Sequence, residues 1–318
     1  MRDSACLVAA EESFGLGKKL LKELSDIEIS KSKIRQISEK VGSAIEAENK
    51  EVMATYYWEG RKEEIPQEKL PAHEQFYVSA DGTSVNTTEG WKEVKSGAVY
   101  DAKLKKGKPV RGNTTYVGSF EDSTEFMRRL YVAAYLNGID KSKKQIAIGD
   151  GAKWIWNESS LNFPNAVQIV DYYHATERPW DISRALHGEK TAESVVFAKP
   201  YIKHLKAGRI DKIIRDFKNI KTPSKEVKEK IEEAIGYYKN NHEKMKYRKF
   251  KQDGYFIGSG VVEGSCKHNV AQRLKKSGMR WDTINANSIL QLRNCILNNK
   301  WDDFRRNYRW CQQNLPTN

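Results

Sequence analysis

Two aspartates have the setting for joint chemistry. Asp81 follows the apolar run Phe76-Tyr-Val-Ser-Ala80, Asp150 follows Gln145-Ile-Ala-Ile-Gly149, and a glycine comes directly after each. A carboxylate just past the C-terminal end of a strand is held rigidly yet meets solvent, and ligands of α/β sheets gather at that edge. Two such groups side by side repel and invite a divalent cation, and hard oxygen donors select Mg²⁺ or Mn²⁺. Taken singly, an Asp-Gly pair is an ordinary turn signal. A third acid, Glu263, lies in Ile257-Gly-Ser-Gly-Val-Val-Glu-Gly-Ser-Cys-Lys267. The glycines allow a sharp turn, and Ser259 stands where an N-cap belongs. Glu263 then falls in the first turn of a helix whose Val262, Cys266, Val270 and Leu274 pack inward. A glutamate there also serves to stabilise the helix N-terminus. Asp171-Tyr-Tyr-His174 offers two readings as well. Asp171 either caps a helix or competes for a metal, and His174 either packs or steers a proton near the site.

Basic residues cluster behind Glu263. Residues 265–310 hold ten Lys/Arg and three Asp, with Lys267, Arg273, Lys275, Lys276 and Arg280 ahead of Trp281. Cations with an aromatic suit phosphate contacts and stacking of an unpaired base. A solvated helix face and a core plug are the plainer uses of the same residues. The whole chain of 318 residues carries 55 Lys+Arg against 42 Asp+Glu, a net charge of +13. That excess points to a polyanion, nucleic acid first. With 39% hydrophobic residues a sizeable core is available, which argues against global disorder. Mean hydropathy is −0.73, and no apolar run approaches a membrane span. Cys6, Cys266, Cys295 and Cys311 are far apart and form no C-x-x-C pair, so they read as reduced thiols in a cytoplasmic protein.

The elements that must position these residues follow from periodicity. Leu16, Leu20, Leu21 and Leu24 mark one helix. Ser30 caps a second, with Ile34, Ile37, Val41 and Ile45 on one face. With Lys31, Lys33 and Arg35 the pair is a helical hairpin or a DNA-binding helix-turn-helix. Residues 61–72, with Pro66 and Pro71, read as a linker. Strands are expected at 76–80, 94–104 and 114–120, with a basic hairpin loop from Lys105 to Asn113. A helix over 121–137, a strand at 145–149, a helix with Trp154 and Trp156, a strand at 166–170 and a helix near Tyr172 complete a βββαβαβα order. That order suits a mixed sheet with helices on its faces. Residues 188–252 carry no strand signal and read as an all-helical insertion. A basic helix from Gly260 or Val261, a helix over 283–298 and a Trp/Arg-rich tail follow. The divisions are 1–72, N-terminal helical; 73–187, first part of the core; 188–252, insertion; and 253–318, second part of the core.

Several of these motifs, in order, resemble those of insertion-sequence DDE transposases of the Kra group. They are Asp81-Gly, Gly149-Asp-Gly-Ala-Lys-Trp-Ile-Trp156, Asp171-Tyr-Tyr-His174, Gly258-Ser-Gly-Val-Val-Glu-Gly-Ser-Cys-Lys-His268, Arg273-Leu-Lys-Lys-Ser-Gly-Met-Arg-Trp281 and Leu292-Arg293. The resemblance runs from about residue 76 to about 305. It implies an RNase H-like catalytic domain with Asp81, Asp150 and Glu263 as catalytic metal ligands. They would hold two Mg²⁺ (or Mn²⁺) ions roughly 3.5–4 Å apart for cleavage and transfer of DNA strands. It also implies DNA as partner, a homodimer or higher assembly on transposon ends, and a cytoplasmic, nucleoid-associated location. Members usually carry a longer N-terminal region, often with cysteine pairs; on that comparison this chain reads as a truncated copy, a shortened form or an incomplete gene model. A truncated or domesticated DNA-binding protein without catalysis, or an RNase H-like nuclease such as a resolvase, are the alternatives.

Overall fold

A computed structural model of the chain describes residues 1–60, 70–258 and 260–308, without the side chains of residues 261–263. Helices α1 (Arg2–Glu11), α2 (Phe14–Ser25) and α3 (Lys31–Met53) open it. The sheet strands are β1 (Gln75–Thr87), β2 (Gly90–Lys105), β3 (Lys108–Ser119), β4 (Gln145–Gly149) and β5 (Val167–Val170). Between and after them come α4 (Ser123–Leu136), α5 (Lys153–Asn162) and α6 (Tyr172–His187). A helical stretch follows: α7 (Ala192–Lys206), α8 (Ile210–Lys218), α9 (Lys225–Asn240) and α10 (Tyr247–Gln252). The C-terminal part is α11 (Gly260–Ser265), a π-helical turn (Cys266–Ala271), α12 (Gln272–Leu274), α13 (Thr283–Leu297) and α14 (Trp301–Asn307).

The five strands form one mixed sheet in the order β3-β2-β1-β4-β5. β1, β2 and β3 are an antiparallel meander, and β4 and β5 run parallel to β1. The expected βββαβαβα order holds, but the meander strands are longer than their apolar runs. The expected loop from Lys105 to Asn113 shrinks to the turn Lys106-Gly107, whose φ values of 51° and 72° suit a two-residue hairpin. Lys, Arg and Asn broke the apolar alternation there; cross-strand pairing overrides the missing signal.

Local chemistry accounts for most helix starts. Ser30 Oγ accepts Lys33 N–H, Asp122 Oδ1 accepts Thr124 and Glu125 N–H, and Asp282 Oδ1 accepts Asn285 N–H. The expected stripe of Ile34, Ile37, Val41 and Ile45 is buried. The sequence reading missed α1, since Ala5, Cys6, Ala9 and Ala10 make a stripe too small to show as amphipathic, yet all four are buried.

Buried side chains form two clusters. One lies between the sheet, α4 to α6 and the helices of residues 192–252. The other joins α1 to α3, Val85 and Val94 of the β1–β2 hairpin, and α12 to α14. Asn298 closes the β3 edge, its side-chain amide exchanging bonds of 2.7 and 2.8 Å with Tyr116 N–H and C=O. Residues 61–69 of the expected linker lie outside the described residues. Cys6, Cys266 and Cys295 are free thiols; Cys311 lies outside the described residues. Among the described residues no helix is long and apolar enough to cross a membrane.

The helices of the second cluster meet closely. A Cβ on Gly42 of α3 would stand 1.9 Å from the Ser288 carbonyl oxygen of α13. Helix propensity favours alanine over glycine by about 1 kcal/mol, but backbone overlap is the larger effect. Gly42→Ala is expected to destabilise by about 2–3 kcal/mol, read as a lower urea midpoint. A gain in stability would show that α3 and α13 do not pack this closely.

Candidate active site

Parallel pairing of β1 with β4 runs from Phe76↔Gln145 to Ala80↔Gly149 and stops. Asp81 and Asp150 are the next residues on strands about 4.8 Å apart. Asp81 does not end its strand, as the Asp-Gly pair suggested. β1 continues beside β2 from Asp81↔Ser96 to Thr87↔Gly90, because β2 supplies the partner that a turn would lack. The boundary that frees the aspartate belongs to β4.

Asp81 is half-buried, with Oδ1 accepting Gly82 N–H at 2.7 Å and Oδ2 accepting the Cys266 thiol at 3.4 Å. Burial pushes its carboxyl above the usual range and Asp150 adds to this, while the two donors and His174 work against it. Cys266 is the complement: burial and Asp81 hold its thiol protonated and donating. Asp150 Oδ1 accepts Ala152 N–H at 2.8 Å, a turn that leads into α5. The Asp150 carbonyl accepts Tyr237 Oη of α9 at 2.7 Å. Tyr237 also packs on Gly151, where φ is +103° and a Cβ would lie 2.5 Å from the ring. Sequence reasoning missed Tyr237, which sits 87 residues from Asp150 with no local motif to mark it. The Arg178 guanidinium lies over the same ring, 4.6 Å from its centre.

Glu263 lies on α11, and its side chain is outside the described residues, as is Ser259. The helix backbone is fixed nearby. Ser265 Oγ bonds Ser96 Oγ at 2.7 Å and donates to Gly97 C=O at 3.3 Å, and Ser96 is the β2 partner of Asp81. Asp171 is buried and caps α6, accepting Tyr173 N–H at 2.6 Å and His174 N–H at 3.3 Å, while its own N–H bonds Gly149 C=O. His174 is half-buried, with Nδ1 3.5 Å from Glu177, and acts electrostatically on Asp81.

The expected DNA-contacting residues divide. Lys267, Lys275 and Arg280 are exposed; Lys275 also bonds Thr83 Oγ1, and Arg280 bonds Thr87 and Thr88 C=O. Lys276 is half-buried and pairs with Glu12. Arg273 is a core residue, and Trp281 takes the core-plug reading offered for it. Arg273 is 0% exposed, donates to Ala9 C=O, and lies 4.8 Å from the ring centres of both Phe14 and Trp281. Burial and neighbouring Arg293 pull its pKa down to about 10. Trp281 is buried, its Nε1–H donating to Leu274 C=O. Both are enclosed by the protein, Arg273 completely. Sequence could not separate Arg273 from its exposed neighbours, because the Ala9 carbonyl and the Phe14 ring that receive it come from α1 and α2.

The donor set fits a hard divalent cation in type: two carboxylates on adjacent strands, one of them strained by burial and like charge. Among the described residues no group of three His, Cys, Asp or Glu converges as a metal site, and Glu263's carboxylate is outside those residues. Protein-family models yield no match to the chain, and the curated proteins yield no relative.

Two expectations follow. Because Asp81's folded pKa is raised, the folded state holds more protons across the window above the ordinary aspartate pKa, and stability falls as pH rises through it. Asp81→Asn is therefore expected to be more stable than wild type at pH 7, with the difference closing near pH 3. Urea midpoints at both values check this, and a less stable variant at pH 7 would contradict it. Tyr237→Phe removes the bond to Asp150 C=O and is expected to cost about 1 kcal/mol, by the same measurement. An unchanged midpoint would mean that this hydroxyl does not hold the Asp150 turn.

Proposed function

We propose that this chain is the transposase of a DNA insertion sequence, with an RNase H-like core and a DDE site that cleaves DNA and transfers the strand. The observation that carries the reading is the end of β1–β4 pairing at Ala80↔Gly149, after which Asp81, still in the central strand β1, and Asp150, just past β4, are the next residues. Three further features support it. The sheet order is β3-β2-β1-β4-β5 with an antiparallel meander first. An all-helical stretch separates β5 from α11. α11, which bears Glu263, is bonded to the β2 residue opposite Asp81.

Asp81, Asp150 and Glu263 would hold the Mg²⁺ or Mn²⁺ ions. Bound there, two ions supply Lewis-acid stabilisation of the phosphodiester and an activated water or 3′-hydroxyl. The protein's own residues do the remainder. Gly82 N–H and the Cys266 thiol aim the Asp81 carboxylate. Ala152 N–H and Tyr237 fix the turn that carries Asp150. His174, on the first turn of α6 with Nδ1 3.5 Å from Glu177, would hold or pass a proton near the site. Lys267, Lys275 and Arg280 offer exposed cations to the DNA backbone. A homodimer or larger assembly holding two ends, in the cytoplasm and at the nucleoid, completes the proposal.

The test is nicking and joining of duplex DNA bearing the inverted repeats that flank the coding sequence, with Mg²⁺. Asp81→Ala and Asp150→Ala are each expected to lose at least about 100-fold in rate, in the range for losing a main electrostatic contributor, with DNA affinity retained. Mg²⁺ is also expected to raise the Tm of wild type but not of Asp81→Asn. Equal cleavage by Asp81→Ala, or tight DNA binding by wild type with no metal-dependent cleavage, would overturn the catalytic reading.

A further inference from the structure

The helical stretch after α6 carries charge that the catalytic reading does not use. Residues 199–221 hold eight Lys/Arg and two Asp. Lys199, Lys203, Lys206, Arg209, Arg215, Lys218 and Lys221 are all exposed. None of the seven has an acidic partner among the described residues, since Asp216 is taken by Lys212 at 2.9 Å and Asp211 by His242 at 3.2 Å. The next helix shows the contrast: on α9, Lys225 and Lys230 stand beside Glu229 and Glu226 at 3.8 and 3.9 Å. An ordinary solvated face mixes signs in that way. The α7–α8 face does not.

Its geometry is defined by burial on the other side. Leu205, Ile210, Ile213 and Phe217 are buried against α6 and α9, so the polar faces of α7 and α8 must point out. Lys199, Lys203 and Lys206 are spaced i, i+4, i+7 and form one stripe on α7. α8 brings Arg209 and Lys212 close to α7, since both press on His204 and, after burial, lower its pKa. The face is tied to the candidate site. Tyr172, the residue after Asp171, donates to Ile202 C=O of α7 at 3.4 Å, and the Tyr201 and Phe217 rings meet at 4.8 Å.

We propose that the α7–α8 face is a second DNA-binding surface that tracks the backbone of duplex DNA beside the carboxylate site. Like-signed cations along two packed helices are matched by a duplex, which carries one negative charge per roughly 1.7 Å of axis. Apart from Val196 near the start of α7, large apolar residues are not exposed on this face, which is what a membrane-inserting helix would need. The contacts are to phosphates and carry no sequence preference. The proposal deepens the transposase reading by naming where the DNA runs, but it can be tested apart from catalysis.

Duplex DNA of unrelated sequence is titrated without divalent metal, by fluorescence anisotropy, across a series of KCl concentrations. The triple variant Lys199→Gln, Lys203→Gln, Lys206→Gln is expected to bind more weakly on every sequence, with the slope of log K against log[KCl] reduced by about 2–3. Exposed substitutions of this kind shift stability by only about 0.5 kcal/mol, and matching urea midpoints confirm the fold. Lys225→Gln with Lys230→Gln, which removes paired cations, is expected to leave affinity and slope unchanged. Wild-type affinity and slope in the triple variant would overturn the proposal, as would wild type binding phosphatidylserine vesicles in preference to duplex. Binding as expected with no cleavage under Mg²⁺ leaves this surface standing and removes only the catalytic reading.

Discussion

Like charge on neighbouring strands is the constraint around which the centre of the molecule is organised. Asp81 stays paired with β2 where β4 ends and Asp150 follows, and neither burial nor the neighbouring Asp150 favours the ionised form of Asp81. The surroundings hold them in place regardless. A backbone N–H and a thiol take the two oxygens of Asp81, and a backbone N–H takes one of Asp150. Tyr237 reaches in from α9 to bond the Asp150 carbonyl and fill the space that Gly151 leaves. Holding a buried carboxylate beside a second one costs stability.

The elements that hold the site come from distant parts of the chain. α11 is bonded to β2 through Ser265 and Ser96, 169 residues apart. The C-terminal carbonyls of α1 are received by arginines from the other end of the molecule: Arg273 donates to Ala9 C=O and Arg293 to Ala10 C=O. Arg293 also donates to His268 C=O within the π-helical turn, where the ordinary helical bonding pattern is shifted. One guanidinium thus ties the N-terminal helix to the segment that follows Glu263. The N-terminal helices are therefore part of one packed unit with α13, whatever else their exposed faces do.

Much of this architecture was legible in the residues. The order of strands and helices, the caps Ser30 and Asp171, and the stripe from Ile34 to Ile45 follow from rules that act over a few residues. Caps are decided within one turn, and a stripe by a 3.6-residue period. Strand length was not legible for β1 and β3, because Asp81-Gly82 and the run from Lys105 to Asn113 look like turns until a partner strand pairs with them.

The charges show the division most clearly. Sequence alone determined that the chain is strongly basic, that acids follow two apolar strands, and that a basic run follows Glu263. Only the tertiary structure decided which cations remain available. Arg273 is spent on a helix end and two aromatic rings, while Lys199, Lys203 and Lys206, unmarked in the sequence, face solvent without acidic partners among the described residues. It also decided that Asp81 and Asp150 meet, by ending one strand while its neighbour continues. Composition and spacing are properties of the chain's order. Burial, pairing and the meeting of like charges depend on which distant segments pack together, and that is not written in any local stretch.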